Sequence, residues 1–194
     1  MPYKKTSLFK RLICILVFLV SISAPHYAPA YPADIQTLND SAYFKTVHSM
    51  FSKAQKSIYV IMYHATYYDK YPDSPSNNLI RILMDAAGRG VDVRIIMDRM
   101  KSKYKKSDKP TDNEIIAKML SSAGVKVYLD SEKITTHAKL IIVDSGRVVV
   151  GSTNWSYPAL TENNEANVII DSPDLAKQYT KYFNELAALC TQVK

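Results

Sequence analysis

Four residues of this chain have types and spacing suited to covalent chemistry: His137, Lys139, Ser152 and Asn154. They lie in one run, His-Ala-Lys-Leu-Ile-Ile-Val-Asp-Ser-Gly-Arg-Val-Val-Val-Gly-Ser-Thr-Asn, from His137 to Asn154. An imidazole titrates near pH 6.5, so at neutral pH it serves as a nucleophile or, paired with a carboxylate, as a proton donor. An ammonium, a hydroxyl and an amide beside it are donors for anionic oxygens and for charge that develops during a displacement. Asp144 lies between the two pairs, and Glu165 follows a short distance on.

The run reads as a β-hairpin. Apolar segments 140–143 and 148–150 flank Ser145-Gly146-Arg147, a turn containing glycine. Side chains alternate along a strand, so His137 and Lys139 share one face with Ala138 opposite. Asp144 at the turn is expected to brace the hairpin or Lys139 rather than to carry a proton, though it stays among the candidate catalytic residues.

The rest of the chain must supply a platform. Residues 41–56 carry Phe44, Val47, Met50, Phe51 and Ala54 at three- and four-residue intervals, one face of a helix capped by Asp40 or Ser41. Residues 57–63 read as a buried strand, and 64–78, with two prolines and no periodicity, as a loop at its C-terminal end. A helix over 79–89 ends at Gly90, and a strand follows over 91–97. That order predicts a βαβ unit with parallel pairing. Thr111 and Glu114 form a capping-box pattern for a helix to Ser122, Gly124 ends it, and 125–129 is a third strand. Residues 166–170 make a further strand, and Ser172-Pro173 opens a last helix to about Leu189. Ile35 and Leu38 suggest a short edge segment near the start. The fold class expected is α/β: a mixed, largely parallel sheet flanked by helices on both faces, in a single domain over 31–194.

Bulk properties set limits. The 194 residues carry a net charge of +7, of which Lys4, Lys5, Lys10 and Arg11 supply four, so residues 31–194 are only mildly basic. Residues 1–30 have the pattern of a signal peptide: a basic start, an apolar run over 12–20, and Ala28-Pro29-Ala30 as a small-x-small cleavage site. A retained N-terminal anchor is the competing reading, although the apolar run falls short of the roughly 20 residues a span needs. Export would place the mature chain in the periplasm or outside the cell. Cys14 falls in that segment, leaving Cys190 alone, so no intramolecular disulfide is available to the mature chain.

The pattern His-x-Lys-x4-Asp-x6-Gly-Ser-x-Asn resembles the signature of the phospholipase D superfamily. The likeness extends over the mature chain to the single-motif bacterial endonucleases of the Nuc type, through Arg89-Gly90-Val91-Asp92-Val93, the Gly124 strand entry and Asn163-Asn164-Glu165. The chain departs from that pattern in a longer loop over 67–77 and in Trp155 after Asn154. The resemblance implies attack by His137 on a phosphodiester to give a phosphohistidine. Lys139, Ser152 and Asn154 would then hold the nonbridging oxygens, and Glu165 the second imidazole nitrogen. No metal or other cofactor is implied.

Such a displacement wants two imidazoles, one to attack and one to protonate the leaving oxygen. The mature chain has only His48, His64 and His137, and one copy of the motif. A two-fold homodimer supplies the second. His48 and His64 are expected to be structural, although His64 faces the same mouth. The run 99–109 places Lys103, Lys105 and Lys106 around Tyr104. Such a run is usually a solvated loop, but beside this site it also suits tracking of a nucleic-acid backbone. Trp155 would stack on a base or plug the core. The activity expected is hydrolysis of DNA, with RNA as a further substrate and little sequence preference; the alternative is a phospholipase D or cardiolipin hydrolase acting on phospholipid headgroups.

Overall fold

The computed structural model describes residues 30–99 and 109–194. The segment 1–29 and Lys103, Lys105 and Lys106 lie outside the described residues. The strands are β1 (Asp34–Thr37), β2 (Ser57–Met62), β3 (Asp92–Met97), β4 (Lys126–Leu129), β5 (Lys139–Val143), β6 (Arg147–Gly151), β7 (Asn167–Asp171) and β8 (Thr191–Gln192). The helices are α1 (Ser41–Lys53), α2 (Pro75–Gly88), α3 (Asp112–Ser122), α4 (Tyr157–Thr161) and α5 (Pro173–Ala187).

The strands form one mixed sheet in the order β1-β7-β6-β5-β2-β3-β4-β8. β2, β3 and β4 pair in parallel through crossovers that contain α2 and α3, as the βαβ pattern predicts. The proportion expected does not hold: the other five pairings among the described strands are antiparallel. The tight turn between β5 and β6 allows only an antiparallel hairpin, and β7 returns antiparallel to β6 after a longer link that contains α4. The edges β1 and β8 then add antiparallel on either side.

Both faces are covered. Val60, Ile95, Val127, Ile141 and Val149 meet Val47, Phe51, Leu79, Leu83, Ile116 and Leu120 in the larger core. Ile61, Ile96, Leu140, Ile142 and Val148 meet Ala176 and Phe183 of α5 in the smaller one. Each large side chain so buried contributes on the order of 1.5–3 kcal/mol. The sheet is therefore anchored from two sides, and its strand ends can carry polar residues at little cost to stability.

Local signals explain most boundaries. The Thr111 side chain accepts from Glu114 N, and Glu114 returns a bond to Thr111 N, a completed capping box. α2 begins four residues earlier than the periodicity suggests, because Ser74 accepts from Asn77 N and Pro75 occupies the first turn. The polar residues Ser76 and Asn77 within that turn are wholly buried, which hides the helix from an apolar pattern. The short helix α4 has Ser156 at its N-cap and a proline in its first turn but no side-chain cap bond, and the two-residue β8 has no comparable signal.

The hairpin turn lies one residue earlier than expected. Asp144 and Ser145, not Gly146, take positive φ of 51° and 55°. A non-glycine residue tolerates this region best when its side chain is short and polar, and the Asp144 carboxylate is pinned by the distant N–H groups of Gln55, Lys56 and Ser57. The 31–194 unit is compact, and among the described residues no helix is long and apolar enough to cross a membrane.

Candidate active site

His137 and Lys139 do share a face, at the C-terminal end of β2. Lys139 lies opposite Met62 in the register and projects toward the larger core side, as do Ile141 and Val143 on the same strand. Its Nζ lies 2.9 Å from His137 O and 3.5 Å from each imidazole nitrogen. Lys139 is nearly buried, whereas His137 is exposed. Burial lowers the Lys139 pKa below its ordinary value, with the Glu165 carboxylate opposing the shift.

Tyr63 went unrecognised in the sequence. Its ring stands 4.4 Å from the imidazole between centroids, and the Lys139 ammonium lies over its face at 4.7 Å. The only available signal was an aromatic residue one position beyond the end of β2, which also suits a core strand. The peptide before His137 is fastened too. Thr136 N donates to Asp98 Oδ2 at 2.8 Å and to Asp130 Oδ2 at 3.0 Å. Asn113, nearly buried, accepts from Ala65 N and donates to Tyr63 O and Asp98 O. This buried polar frame ties β2, β3, α3 and the His137 strand entry together at one sheet edge.

The second half of the motif comes from the end of β6. At Gly151 a Cβ would collide with the Asn167 side chain and with Ala166 O, so close approach rather than φ demands glycine there. Asn167 then accepts from Thr153 N at 3.3 Å and donates to Thr153 Oγ1 at 2.8 Å, which fixes the peptide entering Asn154. The Asn154 Oδ1 is buried and has no hydrogen-bond partner among the described residues. Leaving such an atom unpaired costs about 1–3 kcal/mol. Turned over about its last torsion, the same amide presents an NH2 there instead. Either way a ligand can complete it.

Ser152 and Glu165 form a pair. Ser152 Oγ donates in a short hydrogen bond to Glu165 Oε2, and Ala166 N donates to Ser152 Oγ at 3.1 Å. Asn163 Nδ2 takes the other carboxylate oxygen at 3.2 Å, and Glu165 N donates to Asp40 Oδ1 at 2.7 Å. The carboxylate is thus held by Ser152 and Asn163 rather than by its own chain's imidazole, and it faces Lys139 closely enough to act on its charge.

Two expected site residues are placed elsewhere. Asp144 is at the far end of β5 from His137, where its carboxylate accepts from Gln55, Lys56 and Ser57 N–H groups at 2.7–3.2 Å. Burial alone would raise its pKa, but the three N–H donors outweigh burial and hold it below the usual carboxylate value. It is a brace for the hairpin and reaches no reacting group. Trp155 is wholly buried, meets Phe51 edge-on, and donates from Nε1 to Tyr43 Oη at 3.2 Å. It has no face left for substrate. Its backbone matters instead: Trp155 N donates to His64 O and Thr66 N to Trp155 O, which stitches the Asn154 segment alongside β2.

His64 lies beside the mouth. Its Nε2 is 3.1 Å from Thr66 Oγ1, and burial lowers its pKa, with Asp112 opposing and Lys139 reinforcing the shift. His48 packs against Phe44 on α1, a structural position. Cys190 donates to Leu186 O, and burial pushes its thiol up to about 11, far from a reactive thiolate.

A model of the cardiolipin synthase, phospholipase D-like domain matches residues 47–187. "Phospholipase D" of Rickettsia conorii is 32% identical over 138 residues, 70% of this chain and 59% of that protein. The chain thus spans about three-fifths of that relative's length. Among solved structures, the phospholipase D family member Nuc from Salmonella typhimurium superposes with a TM-score of 0.68 at 23% identity, covering 84% of this chain and 99% of that one. NucT from Helicobacter pylori gives 0.63 at 19%, covering 84% and 100%. These two share the fold. The matched region runs from within α1 to the end of α5 and contains the whole His137–Asn154 run, so the chain belongs to the phospholipase D superfamily and has the fold of its Nuc-type members.

Proposed function

We propose that this chain is a phosphodiesterase that hydrolyses nucleic acid, DNA first and RNA with it, with little sequence preference. The observation that carries the phosphodiesterase reading is one exposed imidazole set against a nearly buried ammonium and an amide left without a partner. That is a nucleophile beside a cradle for anionic oxygens. The His137 nitrogen forms a bond to phosphorus as the bond from phosphorus to the leaving oxygen breaks. A second imidazole gives that oxygen its proton, then takes a proton from the water that displaces His137 from phosphorus. Lys139 supplies the fixed positive charge that a metal ion would otherwise supply, so the reaction proceeds without one.

His64 is half-buried and bonded to Thr66, which suits it poorly as the proton donor. The exposed position of His137 suits a homodimer in which each chain's imidazole serves the other's phosphate. Lys103, Lys105 and Lys106 would track the strand through its phosphates, and residues 1–30 would export the chain to the periplasm or beyond. The relative named phospholipase D supports a second reading, hydrolysis of phospholipid headgroups such as those of cardiolipin, by the same chemistry.

Single-stranded DNA, duplex DNA, RNA and cardiolipin vesicles offered side by side in chelator separate these readings. Cleavage of nucleic acid, with an acid-labile phosphoryl group trapped on wild-type protein and absent from His137→Ala, is the expected result. Hydrolysis of cardiolipin alone would replace the first reading with the second. Strong inhibition by chelator would overturn the metal-free mechanism.

A further inference from the structure

The longer segment over 67–77 leads into the first turn of α2. With the start of α4 it builds an open cavity of about 810 Å3, lined by Tyr68, Lys70, Tyr71, Pro72, Tyr157 and Pro158 among others. That volume is within the range of ligand sites. Tyr71 is 67% exposed and Tyr157 45%, large aromatic areas left in water. Charged groups on the lining are limited to Lys70 and Asp73.

The cavity is held open by buried groups. Asn77 is wholly buried; its Oδ1 accepts from Tyr68 N at 2.9 Å, and its Nδ2 donates to Tyr68 O, Tyr71 O and Pro72 O. Arg81 Nη1 donates to Pro72 O as well. Across the opening, Tyr157 N donates to Tyr68 Oη at 3.0 Å. Ser76 Oγ donates to Thr66 O and Trp155 O, so the loop is tied to the peptide that follows Asn154. A preformed aromatic platform loses little conformational entropy on binding.

Its position relates it to the active site. Tyr157 follows Asn154 by three residues, and three residues span at most about 11 Å. A phosphate seated on His137, Lys139 and Asn154 therefore places its neighbouring nucleotide within reach of the cavity. Tyrosine and proline faces with one ammonium suit a flat, unpaired base with a phosphate nearby. An acyl chain would be served better by leucine, isoleucine, valine or methionine side chains, which this lining lacks.

We propose that this cavity is a stacking subsite: Tyr71 and Tyr157 hold an unpaired base next to the scissile phosphate and give the enzyme a preference for single strands. The proposal rests on the nucleic-acid reading of the active site. A duplex keeps its bases stacked inward and cannot fill the cavity without unpairing.

The test compares a thymidine oligonucleotide with an oligomer of equal length built from abasic tetrahydrofuran units. In the Tyr71→Ala/Tyr157→Ala variant, KM for the thymidine strand should rise roughly 5- to 100-fold, the loss expected from a stacked base. The value of kcat and the rate on the abasic oligomer should stay unchanged. The Tyr71→Phe/Tyr157→Phe variant keeps the rings and should behave as wild type. Equal loss on both oligomers, or a phenylalanine variant as weak as the alanine one, would overturn the subsite. Wild-type cleavage of thymidine strands with no effect of the alanine changes would overturn it alone and leave the nuclease reading standing. Failure of the wild type to cleave either oligomer would overturn both, and a simultaneous loss on phospholipid vesicles would give the cavity to lipid.

Discussion

Ser152 Oγ donates a hydrogen bond to Glu165 Oε2, joining the residue after β6 to the one two positions before β7 within the site. The bond keeps a carboxylate close to Lys139, where it offsets part of the burial that works against the ammonium. Ser152→Ala should therefore loosen Glu165 and lower kcat by about tenfold, with Glu165→Gln losing more, on the order of the 100-fold typical of a lost electrostatic or proton-transfer contact. Turnover by purified variants with unchanged thermal midpoints checks this. A Glu165→Gln enzyme as fast as wild type would remove the carboxylate from the mechanism.

Lys139 sets an alkaline limit. Burial depresses its pKa, so the ammonium is lost at a lower pH than that of an ordinary lysine, whose value is 10.5. Activity should fall as pH rises through the depressed value. Stability runs the other way: between the depressed value and 10.5 the unfolded chain binds more protons than the folded one, so this group's contribution to stability increases with pH. Lys139→Arg, whose charge does not titrate in this range, should remove the alkaline limb while reducing kcat. A pH–rate profile of the two proteins settles the point.

Asp144 should matter to folding and not to catalysis. Asp144→Ala removes the charged acceptor shared by the N–H groups of Gln55, Lys56 and Ser57 and should cost about 1–3 kcal/mol. Its pKa is depressed in the folded chain, so its contribution is present above the ordinary value of 3.8 and is lost as pH falls through the folded one. Urea denaturation at neutral and acid pH should show the wild-type advantage shrinking in acid. The variant's kcat should be that of wild type.

Trp155 tests the core against the substrate. Trp155→Ala should destabilise the chain by about 3–5 kcal/mol and leave the buried Tyr43 hydroxyl without its donor. Trp155→Phe keeps most of the packing against Phe51 and should retain substrate affinity. A large rise in KM for Trp155→Phe at unchanged stability would return the ring to the substrate.

Much of this was legible in residues close together in the chain. His137 and Lys139 share a face because strands alternate, a purely local rule. The capping box at Thr111, the βαβ order and the tight turn from β5 to β6 are local as well. The antiparallel β5–β6 pair follows from that turn, yet how β7, β1 and β8 would join the sheet could not be read, since each needs a partner made elsewhere.

Only the tertiary structure decided what Trp155, Asp144 and the 67–77 loop do. Trp155 is core because Tyr43 and Phe51, more than a hundred positions earlier, close around it. Asp144 is a brace because strand pairing delivers the start of β2 to its carboxylate. The loop becomes a cavity wall because Asn77 binds its carbonyls and Ser76 ties it to Trp155 O. By itself, then, the sequence determined the chemical set from His137 to Asn154, whose residue types and spacing are local properties. Burial and long-range hydrogen bonding, which depend on what other segments bring, decided which of those residues meet.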